Sequence, residues 1–311
     1  MLVIVGPTGV GKTELAVKCA SMLGGEIINA DSRQIYQAMD IGTAKPEPDM
    51  LDVVPHHLFN LISPDERYNV QSFVRDTNKL VTEIRNRNSI PIIVGGTGQY
   101  IWAYAEQWEF KDEFKDATSD YRKTLEERLS SEGLDSLVEE LIRKAPEDAQ
   151  NIDIKNHVRV IRAIERLDSG LSANVPRKYR PELVKGLKIF GLTMPRSSLY
   201  RKLDTRIDKM VKSGWINEVS RLKYQGYTLD HASMSSIGYQ EIYYFLEGQL
   251  TWSECLATIK SRTHRLVRTQ ANWFKMDDER IRWIEVKDNG IEDSAHIIVE
   301  EYNEFLSEPS L

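Results

Sequence analysis

Short runs of apolar, largely β-branched residues alternate along this chain with longer segments whose apolar positions recur at helical spacing. The runs that predict strands are residues 2–5, 26–31, 89–94, 188–193 and 281–286. The segments that predict helices are residues 14–20, 69–86, 196–210, 215–225 and 255–275, with a further helix opening near residue 236. This alternation favours an α/β fold in which helices flank a parallel sheet, with residues 281–286 as an edge strand.

Residues 111–186 interrupt this alternation. Charged helical patterns cover residues 121–130, 134–144 and 156–167, and strand signals are nearly missing. We therefore expect a small all-helical domain, residues 111–186, inserted into an α/β core that comprises residues 1–110 and 187–311.

The first predicted strand runs directly into a glycine-rich turn that fits the pattern G-x-x-x-x-G-K-[ST]. In a strand–loop–helix context this pattern is typical of a phosphate-binding P-loop, so the core is expected to resemble P-loop NTPases. Backbone N–H groups and the helix N-terminus would hold phosphate oxygens, Lys12 would reach the terminal ones, and the Thr13 hydroxyl would hold Mg²⁺. The predicted diphosphate-binding residues are Gly6, Pro7, Thr8, Gly9, Val10, Gly11, Lys12 and Thr13.

Two further stretches are expected at the same edge of the sheet. Asp31 ends the second predicted strand, and Gly95–Gly98 follows the strand that ends at Val94. Ligands of open parallel sheets lie beyond the carboxyl ends of the strands. ATP-hydrolysing proteins usually carry an acidic residue where this chain has Gly95, so ATP hydrolysis is not indicated. For Asp31, spacing alone supports a helix N-cap as well as a site residue.

Composition and net charge limit the classes of function that the chain can have. The net charge of −6 argues against indiscriminate nucleic-acid binding but leaves room for a local basic surface. Cys19 and Cys255 are too few for a disulfide framework, which fits a reducing cytoplasm. No apolar run approaches the length of a membrane span, so no membrane partner is expected. His56 and His57 lack a cysteine or acid at metal-binding spacing, so packing and hydrogen bonding by two loop histidines is expected.

Basic residues concentrate in two predicted helices. The segment 255–275 has no acidic residue and carries Lys260, Arg262, His264, Arg265, Arg268 and Lys275. The insertion carries Arg159, Arg162 and Arg166, followed by Arg177, Lys178 and Arg180. Any one of these is by default a solvated helix charge. Together they predict an RNA-binding surface. A kinase of a nucleotide or small metabolite would explain the P-loop but not these residues, and a non-catalytic, nucleotide-gated RNA-binding protein would explain both.

Several segments also resemble one family, the tRNA dimethylallyltransferases (tRNA isopentenyltransferases). The P-loop alone is generic, whereas Asp31–Tyr36 followed by Met39–Pro46 is specific to the family. The other matching segments, in chain order, are Pro55–Leu58, Val94–Gly98 and Ile237–Tyr239. The chain departs from the family pattern at the bulkier residues 101–108, and at Arg268-Thr269-Gln270, where the family often has Lys-Arg-Gln.

The resemblance implies transfer of a dimethylallyl group from dimethylallyl diphosphate to N6 of an adenosine. That adenosine adjoins the anticodon on its 3′ side, in tRNAs that read codons beginning with U. The adenine must be flipped out of the anticodon loop to reach a buried donor. We expect a cytoplasmic monomer.

Three residues are expected to carry the chemistry. Asp31 would accept the N6 proton, and Thr8 would lie, with Thr97, between diphosphate and adenine. The resemblance assigns Arg206 to the leaving diphosphate, whereas the residues themselves favour a surface ion pair with Asp204 or Asp208. The residues expected to contact tRNA are Asp31, Ser32, Arg33, Gln34, Thr97, Arg159, Arg162, Arg262, Arg265 and Arg268.

Overall fold

A computed structural model of the chain describes residues 1–110, 119–174, 182–287 and 290–307. The strands are β1 Leu2–Val5, β2 Gly25–Asn29, β3 His56–His57, β4 Ile90–Gly95, β5 Lys188–Thr193 and β6 Ile281–Glu285. The helices up to residue 168 are α1 Lys12–Leu23, α2 Pro48–Leu51, α3 Val70–Asn86, α4 Gly98–Ala105, α5 Ser119–Glu132, α6 Leu134–Lys144, α7 Pro146–Ala149 and α8 His157–Asp168. Those beyond it are α9 Arg196–Lys212, α10 Trp215–Tyr224, α11 Tyr239–Leu246, α12 Trp252–Trp273 and α13 Ile291–Ser307.

The six described strands form one parallel sheet in the order β3-β2-β4-β1-β5-β6, which confirms the predicted fold class. β1 lies between β4 and β5, with Val5 opposite both Gly95 and Gly191. All four β1 residues are buried because helices cover both faces of the sheet. Residues of α1 and α13 pack on one face, and residues of α3 and α4 pack on the other. β6 is an edge strand, as predicted.

A third apolar cluster joins α10, α11 and α12 to the loop that follows β2. Trp215 and Tyr239 are both buried there, with their rings packed edge to face. The carboxylate of Glu218 accepts hydrogen bonds from the backbone N–H groups of Asp40, Ile41 and Gly42 and from the Tyr239 hydroxyl. Because four donors satisfy this buried carboxylate, the loop is fixed against the helices.

Contacts between Cα atoms divide the chain into two compact units. One comprises Met1–Trp108 with Glu182–Leu311, and the other is Glu109–Pro181. Helices α5 to α8 belong to the second unit, where Leu137, Leu141, Val160 and Ile164 are buried in one apolar cluster. The predicted boundary residue Lys111 and the basic residues Arg177, Lys178 and Arg180 lie outside the described residues.

Two local predictions need correction. His56 and His57 form a short edge strand rather than a loop, and His57 Nε2 lies 2.7 Å from Glu26 Oε2, a carboxylate that also binds Arg87. Helix α12 begins at Trp252 rather than at residue 255, because Thr251 and Glu254 form a capping box there. Among the helices of the described residues, none combines the length and the apolar composition that a membrane crossing requires.

Candidate active site

Three loops meet at the carboxyl edge of the sheet. They follow β1, β4 and β2, which are neighbours in the sheet, and so bring the P-loop, Gly96–Thr97 and Asp31 together. Backbone hydrogen bonds from Ala30 N to Val94 O and from Thr97 N to Ala30 O hold two of these loops in register. The expectation that the glycine-rich loops and Asp31 share one edge is therefore confirmed.

The P-loop requires glycine at its bends. Gly9 and Gly11 have φ angles of 84° and 110°, a backbone region that L side chains rarely adopt. A Cβ atom at Gly9 would lie 2.6 Å from the Leu203 side chain of α9. Val10, by contrast, is fully buried in the core, and its N–H donates to the Pro7 carbonyl oxygen at 3.4 Å.

Lys12 is the first residue of α1, and its ammonium donates a hydrogen bond to the Pro7 carbonyl oxygen at 2.9 Å. Burial lowers the pKa of Lys12 to about 8. The Asp31 carboxylate acts in the opposite direction, and the Arg206 guanidinium lowers it further. A cation destabilised in this way gains strongly from an anionic ligand.

Arg206 does not form the surface ion pair that the sequence favoured. Its Nη2 donates to the Thr8 hydroxyl oxygen at 3.0 Å, and its buried Nε has no hydrogen-bond partner within the described residues. Burial lowers the pKa of Arg206, while the charge of Asp31 opposes that shift.

The two acids next to Arg206 are engaged elsewhere. Asp204 contacts His264 and Asp208 contacts Lys260, both on α12. The predicted surface ion pair of Arg206 was wrong because both carboxylates pair with basic residues of α12 instead.

Asp31 lies two residues beyond the end of β2 and starts a turn, not a helix. Its Oδ1 accepts a hydrogen bond from Arg33 N at 2.8 Å, while its own N–H donates to Asn29 Oδ1 at 3.1 Å. The N-cap alternative is therefore wrong. Asp31 is partly exposed and lines both cavities described below.

The neighbours of Asp31 separate into two groups. Ser32 N donates to the Thr97 hydroxyl oxygen at 3.0 Å, and Arg33 reaches the Ala232 carbonyl oxygen at 2.8 Å. Gln34 instead donates to the carbonyl oxygens of Thr43 and Ala44, on the other side of the turn. The structure thus places Ser32 and Arg33 beside Thr97, but not Gln34.

Two cavities open on either side of a common wall. The larger, of about 760 Å³, is lined by P-loop residues including Gly9, Gly11, Lys12 and Thr13, and also by Gln34. The smaller, of about 390 Å³, is lined by Ser32, Arg33, Thr97, Arg262 and Gln270, among others. Thr8, Asp31 and Arg206 line both cavities. Thr43, Ala44 and Met210 also line both, so the three residues predicted to be catalytic form part of the wall between the two cavities.

Some basic side chains of α12 already have partners within the protein. Arg262 forms an ion pair with Glu241 and donates to Gln240 Oε1 at 2.7 Å, so its acid partner comes from α11. Arg265 and Arg268 are exposed and line neither cavity, and Arg268 contacts the Tyr200 hydroxyl. Their predicted contact with tRNA stays a prediction.

The arginines of the insertion lie in the second unit. Arg159 is exposed near the start of α8, whereas Arg162 contacts the buried carboxylate of Glu165 and Arg166 donates to the Ser172 carbonyl oxygen. Of the three, Arg159 fits best the expectation of a solvated helix charge.

Lys45 and Gln270 were not among the predicted site residues, although Lys45 belongs to a segment specific to the family and Gln270 matches the last residue of the family's Lys-Arg-Gln. The Lys45 ammonium, only 6% exposed, donates to Tyr36 O, Asp40 Oδ1 and Asn60 Oδ1 and so fixes the loop beside the larger cavity. Gln270 on α12 contacts both glycine-rich loops. A lysine in a glycine- and proline-punctuated loop and a glutamine in a basic helix are ordinary surface residues until tertiary contacts bury them.

A metal ion would have few protein ligands here. No group of three or more His, Cys, Asp or Glu side chains in the described parts of the chain is arranged to hold one. The Thr13 hydroxyl and the Asp31 carboxylate are oxygen donors at the larger cavity, which suits Mg²⁺ only when phosphate oxygens and water complete its shell.

Known sequences resemble this chain over nearly its whole length. The family model described as IPP transferase matches residues 34–277, and the one described as isopentenyl transferase matches residues 1–57. A tRNA dimethylallyltransferase of Carboxydothermus hydrogenoformans is 37% identical over 311 residues, covering 98% of this chain and 99% of that protein. Another, of Geobacillus thermodenitrificans, is 39% identical over 290 residues, covering 93% and 91%.

Two solved structures also resemble this chain over nearly its whole length. The full-length tRNA isopentenylpyrophosphate transferase of Bacillus halodurans has a TM-score of 0.71 at 36% identity, covering 98% of this chain and 97% of that one. A eukaryotic dimethylallyltransferase acting on tRNA has a TM-score of 0.81 at 24% identity, covering 99% and 79%, and supports the fold alone. These relatives do not support the kinase or the non-catalytic RNA-binding alternative. The chain therefore belongs to the IPP transferase family, and it is similar over nearly its whole length to these tRNA dimethylallyltransferases.

Proposed function

We propose that this protein transfers the dimethylallyl group of dimethylallyl diphosphate to N6 of the adenosine on the 3′ side of the anticodon, in tRNAs reading codons that begin with U. The observation that carries the proposal is the position of Thr8, Asp31 and Arg206 in the wall that the two cavities share. A donor in the larger cavity and an acceptor base in the smaller one would meet at this wall, with their remaining parts in separate spaces.

The larger cavity suits the diphosphate of the donor. The P-loop amides, the Lys12 ammonium and the Arg206 guanidinium surround it with positive charge, and the Arg206 Nε–H remains available to an anion. As the carbon–oxygen bond of the donor breaks, charge develops on the leaving diphosphate, and fixed cations stabilise that charge most in a desolvated site. Mg²⁺ held by Thr13 and the phosphates would supply further positive charge.

The smaller cavity suits the acceptor base. The lone pair of N6 is delocalised into the adenine ring, so the amine is a weak nucleophile. When its bond to the prenyl carbon forms, Asp31 would accept the N6 proton, and diphosphate would leave toward the P-loop. Ser32 and Arg33 adjoin Asp31 on this side and would contact the flipped base or its neighbour.

The product identifies the reaction. Purified protein, Mg²⁺ and an unmodified anticodon stem-loop are incubated with dimethylallyl diphosphate or, in parallel, with ATP. The nucleosides are then analysed by mass spectrometry. We expect one five-carbon prenyl unit on adenosine with the isoprenoid donor and no change with ATP. Unmodified RNA in the first sample, with ATP bound or hydrolysed in the second, would refute the proposal.

A second stem-loop serves as the matched control. It carries guanosine in place of the target adenosine and keeps the remaining sequence. Prenylation of this control at another adenosine would contradict the proposed position of transfer.

A further inference from the structure

We propose that Gln270 is a positioning residue that fixes the P-loop to the wall of the smaller cavity. Because that cavity is proposed to hold the acceptor base, we call it the acceptor cavity. The inference rests on the proposed function and adds a residue to it. Gln270 lies in the last turn of α12 and is 7% exposed. It is remote in sequence from both loops that it contacts.

Both ends of its amide are used. Oε1 accepts a hydrogen bond from Thr8 N at 2.8 Å, and Nε2 donates to the Gly96 carbonyl oxygen at 3.2 Å. A Cβ atom at Gly96 would lie 2.3 Å from Nε2, so glycine is needed for this approach. One side chain thereby links the loop after β1 to the loop after β4.

The contact with Thr8 alters the role of that P-loop residue. Because the Thr8 N–H points to Gln270, it is not directed at a phosphate in the hollow, and Pro7 has no N–H to offer. The Thr8 hydroxyl meanwhile accepts a hydrogen bond from Arg206 on α9. Thr8 is therefore held between α12 and α9 and belongs to the wall between the cavities.

Helix α12 also forms part of the acceptor cavity. Arg262, Leu266, Thr269 and Gln270 line that cavity from one side. A base that packs against this helix is thus set relative to Thr8 through Gln270. Small errors in the mutual position of reacting atoms reduce rates strongly, so the loss of this link should impair the transfer step more than the binding of either substrate.

Two substitutions and one control test the role. Gln270→Met keeps the chain length and removes both hydrogen bonds, whereas Gln270→Glu keeps an acceptor for Thr8 N–H and loses the donor to Gly96. Ile259→Val is a conservative change at a fully buried position of the same helix, remote from both cavities. For each protein, kcat, the KM of the donor, the KM of the RNA stem-loop and Tm are measured.

For Gln270→Met we expect kcat to fall by at least about tenfold, with both KM values within about threefold of wild type. Gln270→Glu should lie between Gln270→Met and wild type. A kcat of Gln270→Met within about twofold of wild type would overturn the proposal. So would a raised RNA KM at unchanged kcat, because Gln270 would then act in RNA binding.

Hydrogen exchange of the Thr8 amide separates this proposal from the proposed function. In Gln270→Met the exchange should be at least about tenfold faster than in wild type, because the amide loses its acceptor. Unchanged exchange would contradict the link whatever the activity. If the wild-type amide is protected but no RNA is prenylated, the proposed function fails while the contact itself stands.

Discussion

We expect the buried guanidinium of Arg206 to contribute little to the stability of the fold but to be essential for turnover. Its guanidinium is desolvated enough to lower its pKa, its Nε has no hydrogen-bond partner among the described residues, and its Nη2 donates one hydrogen bond to the Thr8 hydroxyl. A buried charge with so little compensation gains little from folding. We infer that Arg206 is placed for an anion that binds later.

The test is Arg206→Met, which keeps an unbranched side chain of similar length and removes the charge. The free energy of unfolding should change by no more than about 1 kcal/mol or rise, because the lost hydrogen bond is offset by the relieved desolvation of the cation. Transfer should fall by roughly 10²–10³-fold, the usual effect of removing one donor to a developing anion, or about 3–4 kcal/mol.

The assay combines thermal unfolding with single-turnover prenylation of a stem-loop. Lys212→Met is the matched control, an exposed cation on the same helix that lines neither cavity. Mg²⁺ and inorganic diphosphate should raise Tm in wild type and in Lys212→Met but much less in Arg206→Met. A large loss of Tm together with normal transfer by the remaining folded protein would refute this reasoning and make Arg206 a structural residue.

Two further predictions concern charge. In the ligand-free protein Lys12 loses its proton near pH 8, and a bound diphosphate should raise its pKa again. The diphosphate affinity of wild type, relative to that of Lys12→Met, should therefore fall above pH 8, and calorimetry in different buffers should detect proton uptake on binding. Constant relative affinity up to pH 10 would contradict it. Arg87 and His57 lower the pKa of Glu26 from 4.5 to about 2, so this carboxylate stabilises the fold above pH 4.5 and ceases to do so as pH falls through 2. Arg87→Ala should therefore lower Tm by a few degrees at neutral pH and progressively less between pH 4.5 and 2, and a pH-independent difference would exclude the pair as its cause.

The sequence predicted the fold well because its signals are local. Apolar runs such as Leu2–Val5 and the periodic segment near Val70–Asn86 determine strands and helices with little help from the rest of the chain. The exceptions include helices α4 and α13, which were not predicted, and the short strand at residues 56–57. His56–His57 is a strand only because it pairs with β2, and the pairing partner of a two-residue segment is not visible in a one-dimensional pattern.

The site was predictable where a motif implies a backbone shape, as in the P-loop, and where strand ends determine location, as for Asp31. Side chains whose partners are distant in sequence were not. Only the resemblance assigned Arg206 to the diphosphate; its acidic neighbours favoured a surface ion pair, yet those acids pair with α12 instead. Gln270 matches the last residue of the family's Lys-Arg-Gln but was not selected, since its partners Thr8 and Gly96 are more than a hundred positions away in the chain.

The most direct test of the account is the single-turnover rate of Asp31→Asn at saturating donor and RNA, with RNA affinity measured on the same protein. Asparagine keeps an oxygen that can accept the Arg33 N–H but cannot take up the N6 proton. We predict a rate lower by roughly 10²–10⁴-fold and an RNA Kd within about threefold of wild type. A normal rate, or RNA affinity that collapses while bound substrate still reacts, would contradict the claim that transfer occurs at the wall between the two cavities.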